Sequence, residues 1–131
     1  MSEENVEIVR RATEAFVCHD NEVALGLYHP EVEIQSGGIS GSAIYRGLDG
    51  VREYYGDFLA DMHLLGLEVD EWIDAGDEVV AVLRLWGQGR KSGVPVEEHR
   101  ADVWTLRDGK LWRLRVFGSK AEALTAVGFE P

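Results

Sequence analysis

Few side chains in this sequence could move a proton or steady a negative charge, and their spacing narrows the field further. The four histidines, His19, His29, His63 and His99, show neither HxxxH nor HExxH spacing, so neither a metal site nor a cofactor is expected. Cys18-His19-Asp20 has the letters of a nucleophilic centre, but successive side chains diverge and cannot form a triad. Gly87-x-Gly89-x-x-Ser92 approaches a dinucleotide loop, yet it falls in a hairpin instead of between a strand and a helix. What survives depends on strand register: His99 as a pH-tunable acid or base, Arg84 as a fixed cation, and Trp86 as an apolar wall.

Register follows from the turns. Asp108-Gly109 signals a two-residue type I′ hairpin, because that turn needs positive φ at both central residues. Pairing Arg107 with Lys110 and counting outward places Thr105/Trp112, Val103/Leu114, Ala101/Val116 and His99/Gly118 on one side. Leu106/Leu111, Trp104/Arg113, Asp102/Arg115 and Arg100/Phe117 fall on the other. The first side is apolar except at its far end and is expected to cover the helices. The second mixes arginine with aromatics, which suits a subunit interface, with Asp102 and Arg115 as a cross-strand ion pair. A two-residue loop within Arg90–Gly93 puts Val82, Arg84 and Trp86 on the His99 side. The expected inner wall is therefore Val82, Val103 and Leu114, carrying His99, Arg84 and Trp86. Burying an unpaired arginine is costly, so this cluster implies a paired network or a ligand pocket.

The elements that must hold these residues follow from apolar periodicity. Val6, Val9, Ala12 and Phe16 stripe a first helix over Glu3–Cys18, and Glu22–Tyr28 makes a short second one ended by Pro30. Glu31–Gln35 alternates as a strand, and Gly37–Ser42 is a glycine-rich loop. Leu48, Val51, Tyr55, Phe58 and Met62 recur at three and four in a third helix. The period then switches to two, giving strands over Leu65–Ile73, Glu78–Arg90, Val94–Arg107 and Lys110–Phe117. Lys120–Val127 is a last helix, stopped by Gly128. Consecutive hairpins cannot make a parallel sheet, so the expected class is α+β, a strongly bent antiparallel sheet with helices on one face.

Composition removes whole classes of function. The 131 residues suit one domain with one core, and 45% hydrophobic content excludes a disordered chain. No apolar run is long enough for a membrane helix, and the acidic N-terminus is not a signal peptide, so a cytoplasmic location without membrane contact is expected. One cysteine excludes an internal disulfide. The net charge is −11; residues 1–100 hold 20 acids and 8 bases, the remainder 4 and 5. Without a basic patch, nucleic-acid binding is not expected.

The segments RRATEAF, LYHPEVEI, YRGLDGVREYYGDF, IDAGDEVVAVLRLWGQGR and ADVWTLRDGKLWRLRVFGSKAEALTAVGF resemble the SnoaL-like proteins of the nuclear transport factor 2-like superfamily. The resemblance runs nearly the whole length. It implies a cone-shaped α+β barrel, a homodimer through the sheet, and one deep pocket between helices and sheet. Its members include ketosteroid isomerases, polyketide cyclases, dehydratases, epoxide hydrolases and proteins without catalysis. The network tyrosines of the steroid isomerases fall on Tyr28 and Tyr55, their oxyanion tyrosine on Ala12, their general-base Asp on Ser36, and their oxyanion-hole Asp on His99. The resemblance thus implies where the pocket lies, while Ala12 and Ser36 depart from the isomerase pattern. The resulting expectation is a small-molecule pocket protein, a cofactor-independent isomerase, cyclase or dehydratase acting by acid–base chemistry on an apolar oxygenated or mildly acidic compound. His99, Arg84 and Tyr28 would be catalytic, and Tyr55, Trp86, Ser36, Val82, Val103 and Leu114 would line the ligand. The expected homodimer uses the sheet face bearing Arg100, Asp102, Trp104, Arg113 and Arg115. The alternative is a non-catalytic binding or dimerisation module of the same fold.

Overall fold

The switch in apolar period at Met62 divides a mostly helical first half from a sheet-forming second half. The structure is a computed structural model that describes residues 2–37 and 43–128, so all of the glycine-rich loop after Gly37 lies outside the described residues. Helices α1 (Ser2–Val17) and α2 (Asn21–Leu27) lead into β1 (Tyr28–Gln35), β2 (Ile44–Arg46) and α3 (Gly47–Asp61). Strands β3 (Met62–Ala75), β4 (Glu78–Gly89), β5 (Pro95–Arg107) and β6 (Lys110–Phe117) follow, then α4 (Lys120–Ala126). Local chemistry sets several boundaries. His19 turns the chain between α1 and α2 at φ 59°, and Asp20 caps α2 by accepting from the Val23 amide at 3.3 Å. Ser119 caps α4 through the Glu122 amide at 3.2 Å, and Gly128 follows α4 at φ 83°.

The six strands form one open, mixed sheet ordered β2-β1-β6-β5-β4-β3, in a cone-like α+β fold. The expectation of a wholly antiparallel sheet is corrected at one place: β1 lies parallel to β6. That pairing joins distant parts of the chain and leaves no local signature. Strand β2, three residues long, was not expected either.

The β5–β6 hairpin turns where the sequence predicts. Asp108 and Gly109 have φ of 54° and 72°, and Arg107 pairs with Lys110 and Leu106 with Leu111. Beyond that the count fails by one, because Trp112 is an extra residue in β6: Thr105 pairs with Arg113, Trp104 with Leu114 and Val103 with Arg115. Such a bulge swaps the face of every later residue on its strand. The β4–β5 count holds, with Arg84 opposite His99 and Val82 opposite Ala101.

The inner face, against α1 and α3, takes Trp104, Leu106, Leu111 and Leu114 together with Val9, Ala12, Val51 and Tyr55. The outer face takes Val80, Ala101 and Val103, which α4 covers with Ala123. Ile34, Leu85, Leu111 and Leu114 are fully buried, each worth roughly 1.5–3 kcal/mol of apolar transfer. Among the described residues no helix is long and apolar enough to cross a membrane.

Candidate functional site

The residues grouped by the sequence count stay grouped, but on the outer face. His99 has a side chain 65% exposed, 3.5 Å from the Glu97 carboxylate. Arg84 donates from Nη2 to Glu68 at 3.0 Å and from Nε to Asp70 at 3.2 Å, with Trp86 beside it at 6.0 Å from the ring centroid. Val82 and Val103 belong to the cluster under α4. The inward wall expected of His99, Arg84, Trp86, Val82 and Val103 is therefore corrected. The apolar character of their side comes from α4, which covers that face and mimics a core.

The converse correction concerns the expected subunit interface. Asp102 and Trp104 are buried at 3% and 7% exposure, and Arg100 joins them on the inner face. Arg113 and Arg115, one bulge further along β6, pair with the outward Thr105 and Val103. Arg115 bonds Glu78 at 2.9 Å, so it is not the partner of Asp102.

Helices α1 and α3 and the sheet enclose a cavity of about 40 Å³. Helix α1 contributes Ala12, Thr13 and Phe16; α3 contributes Tyr54 and Tyr55; β5 contributes Arg100, Asp102 and Trp104; Tyr28 and Leu114 complete the wall. Tyr28 and Tyr55 thus line this cavity, and Leu114 reaches it opposite Trp104, through the bulge, and not beside Val103 as counted. Strand periodicity puts Arg100, Asp102 and Trp104 on one face of β5.

Two polar pairs meet here. The hydroxyls of Tyr28 and Tyr55 share a hydrogen bond at 2.9 Å, and their rings pack edge to face. Arg100 Nη2 donates to Asp102 Oδ2 at 3.1 Å and reaches the Tyr54 hydroxyl at 3.5 Å. Arg100 Nε lies 3.0 Å from Asp102 Oδ1, but off the line of a hydrogen bond, so this donor and this acceptor are buried with no hydrogen-bond partner. A buried charge pair persists only when its remaining polar valences are met.

Burial sets the proton affinities. It pushes the Asp102 carboxyl above its ordinary value, with the Arg100 guanidinium opposing the shift. Burial, the largest single influence, would lower Arg100, but Asp102, Tyr54 and Glu98 together outweigh it and hold Arg100 charged. Burial raises Tyr28 well above its usual value and takes Tyr55 to about 12, so both are neutral donors near pH 7. Half-buried Glu98 is also raised, first by desolvation. Glu98 and Arg100 line a second chamber of about 60 Å³, with Ser36, Tyr45 and Asp57. Ser36 is thus near the site without entering the inner cavity; its Oγ accepts from the Ala43 amide at 3.0 Å.

The sequence count missed Arg100 and Asp102 as site residues. The signal was present: two charges at alternate positions beside Ala101, Val103, Trp104 and Leu106, in a strand too apolar to carry unpaired ions.

Comparison with known proteins agrees with this fold. The profile of the SnoaL-like domain matches residues 9–114. An NTF2-like protein from Burkholderia xenovorans superposes with a TM-score of 0.75 at 17% identity, covering 98% of both chains. TerC, co-crystallised with polyporic acid, gives 0.74 at 24% identity over 95% of this chain and 98% of its own. A protein with a ketosteroid isomerase-like fold from Catenulispora acidiphila, in complex with trimethylamine, gives 0.75 at 16% identity over 94% and 93%. No protein of curated function matches the sequence.

Proposed function

From the premise that the chain belongs to the SnoaL-like family, we propose that its inner cavity binds a small apolar, oxygenated compound and turns it over by acid–base chemistry without a cofactor. The observation that carries this reading is the buried Arg100–Asp102 pair, set among the aromatic walls of the inner cavity. Asp102 is the group suited to take a proton from carbon beside a carbonyl. Its raised pKa brings the carboxylate closer to a working base near neutrality. Arg100 balances the negative charge that then develops on the substrate oxygen. Returning the proton to a second carbon makes an isomerisation; expelling a β-hydroxyl makes a dehydration. Tyr55, held by Tyr28, is a neutral donor to the same oxygen.

Binding without turnover is the second reading, favoured by Ala12, which gives the cavity wall a methyl group and no donor. The homodimer implied by the family resemblance would use the outer face, where Arg84, His99 and Arg115 are displayed.

The test is thermal shift with simple phenols and enolisable cyclic ketones, followed by α-deuterium exchange in D2O read by NMR. The proposal expects shifts that shrink in Tyr55→Phe and vanish in Asp102→Asn, with exchange only in proteins retaining Asp102. Binding without exchange selects the second reading. Shifts equal in all three folded proteins reject the site.

A further inference from the structure

The inner cavity holds only the reacting head of a larger ligand. About 40 Å³ accommodates a polar head group, whereas sites for small organic ligands run to ~300–1,000 Å³. Beside it, between α1 and β3, lies an open groove of about 350 Å³. The two spaces share Thr13 of α1 and Leu67 of β3 as common wall. The 60 Å³ chamber on the other side is acidic, with Asp57, Asp61 and Glu98. The groove is more apolar: Val17, Val69 and Trp72 line it, and Val17 is left 36% exposed. Its charges are Arg10, Glu14 and Glu68, and the Arg10 guanidinium lies over the Trp72 ring at 5.7 Å. Glu68 is already paired with Arg84 and Arg10 offsets Glu14, so the groove offers no net charge to an occupant.

We infer that the groove is the subsite for the apolar tail of an elongated ligand whose oxygenated head reaches Arg100 and Asp102 past Thr13 and Leu67. This rests on the inner cavity being the binding site, and it adds the shape of the ligand: a compact hydroxyl or carbonyl head on an uncharged hydrocarbon body. Head alone fits the cavity; body alone has no polar group to complement the buried pair. Leu67 sets how bulky the junction of head and tail can be. Cys18, exposed, lines the groove and is the chain's sole cysteine, so it reports occupancy directly.

The probes are phenol and 4-ethyl-, 4-butyl- and 4-hexylphenol, titrated against the full chain by calorimetry, with iodoacetamide alkylation of Cys18 as the second readout. Affinity is expected to rise about three- to fourfold per added methylene, the value of a buried CH2. Saturating 4-hexylphenol should slow Cys18 alkylation, and phenol should not. Val17→Asp, which changes the groove and not the inner cavity, should abolish the chain-length gain while phenol still binds, and Val17→Ile should keep the gain. Phenol binding with flat chain-length dependence and unprotected Cys18 overturns the groove and leaves the cavity standing. No binding of any probe overturns both.

Discussion

On the inner face Arg100 and Asp102 lie 3.0 Å apart with side chains 11% and 4% exposed. On the outer face Arg84 reaches Glu68 and Asp70 at 3.0 and 3.2 Å, with side chains 33%, 61% and 45% exposed. The contact distances are nearly the same, and the chemistry differs because the solvent differs. Water screens the outer triad, whose arginine is held charged chiefly by its hydrogen bond to Asp70. Burial displaces the inner carboxyl from its ordinary affinity. A charged cluster on a strand is therefore not informative by composition; which face it occupies decides whether it can be a site.

The comparison breaks most completely if the register of β6 is shifted beyond the bulge. Inserting one alanine between Arg113 and Leu114 moves the alternation by one residue and turns Leu114, 1% exposed, toward solvent. The variant should lose cooperative unfolding, as judged by circular dichroism on heating. Retention of a native transition would mean that the alternation of β6 does not fix the faces.

Next in size is the loss of one partner from each cluster. Asp102→Ala leaves Arg100 buried and unpaired and should cost about 3–5 kcal/mol in urea unfolding. Arg84→Ala on the outer face should leave the midpoint almost where it was. Equal losses would put the two clusters in the same environment.

Smaller again is Tyr55→Phe, which strands the buried Tyr28 hydroxyl and should cost ~1–3 kcal/mol. Its pH signature has a definite sign. Folded Tyr55 titrates at about 12 and Tyr28 higher than its usual value, whereas unfolded tyrosine titrates near ~10. Between these values the unfolded chain releases protons that the folded one keeps, so stability is full below pH ~10 and falls toward pH 12. Urea midpoints across pH 8–12 should show that decline, with a shallower slope in Tyr55→Phe. The smallest effect is expected of His99→Ala, which should leave both phenol binding and stability unchanged by calorimetry and urea unfolding.

Much of the fold was legible in residues. Asp108-Gly109 marked its turn, the even loop at Arg90–Gly93 set Arg84 opposite His99, and the stripe from Leu48 to Met62 marked α3. The site was legible only in part. Tyr28 and Tyr55, which line the cavity, came from the family resemblance, and a one-residue bulge at Trp112 leaves the alternation of Arg113 to Phe117 compatible with either face. The central strands are apolar on both sides, since α1 and α3 cover one and α4 the other. Alternation could group His99, Arg84 and Trp86 without saying which way they pointed. The parallel pairing of β1 with β6 depends on the whole fold and has no local turn to announce it.

The four tryptophans divide between these regions, which makes indole NMR the most direct test. Trp104 lines the inner cavity and Trp72 the groove, while Trp86 lies on the outer face and Trp112 sits in the bulge between the Arg107 and Arg113 guanidinia. On titration with 4-hexylphenol, the indole N–H resonances of Trp104 and Trp72 should shift saturably, and those of Trp86 and Trp112 should stay in place. A saturable shift of Trp86 with Trp104 unmoved would place the site on the outer face and contradict the inner pocket.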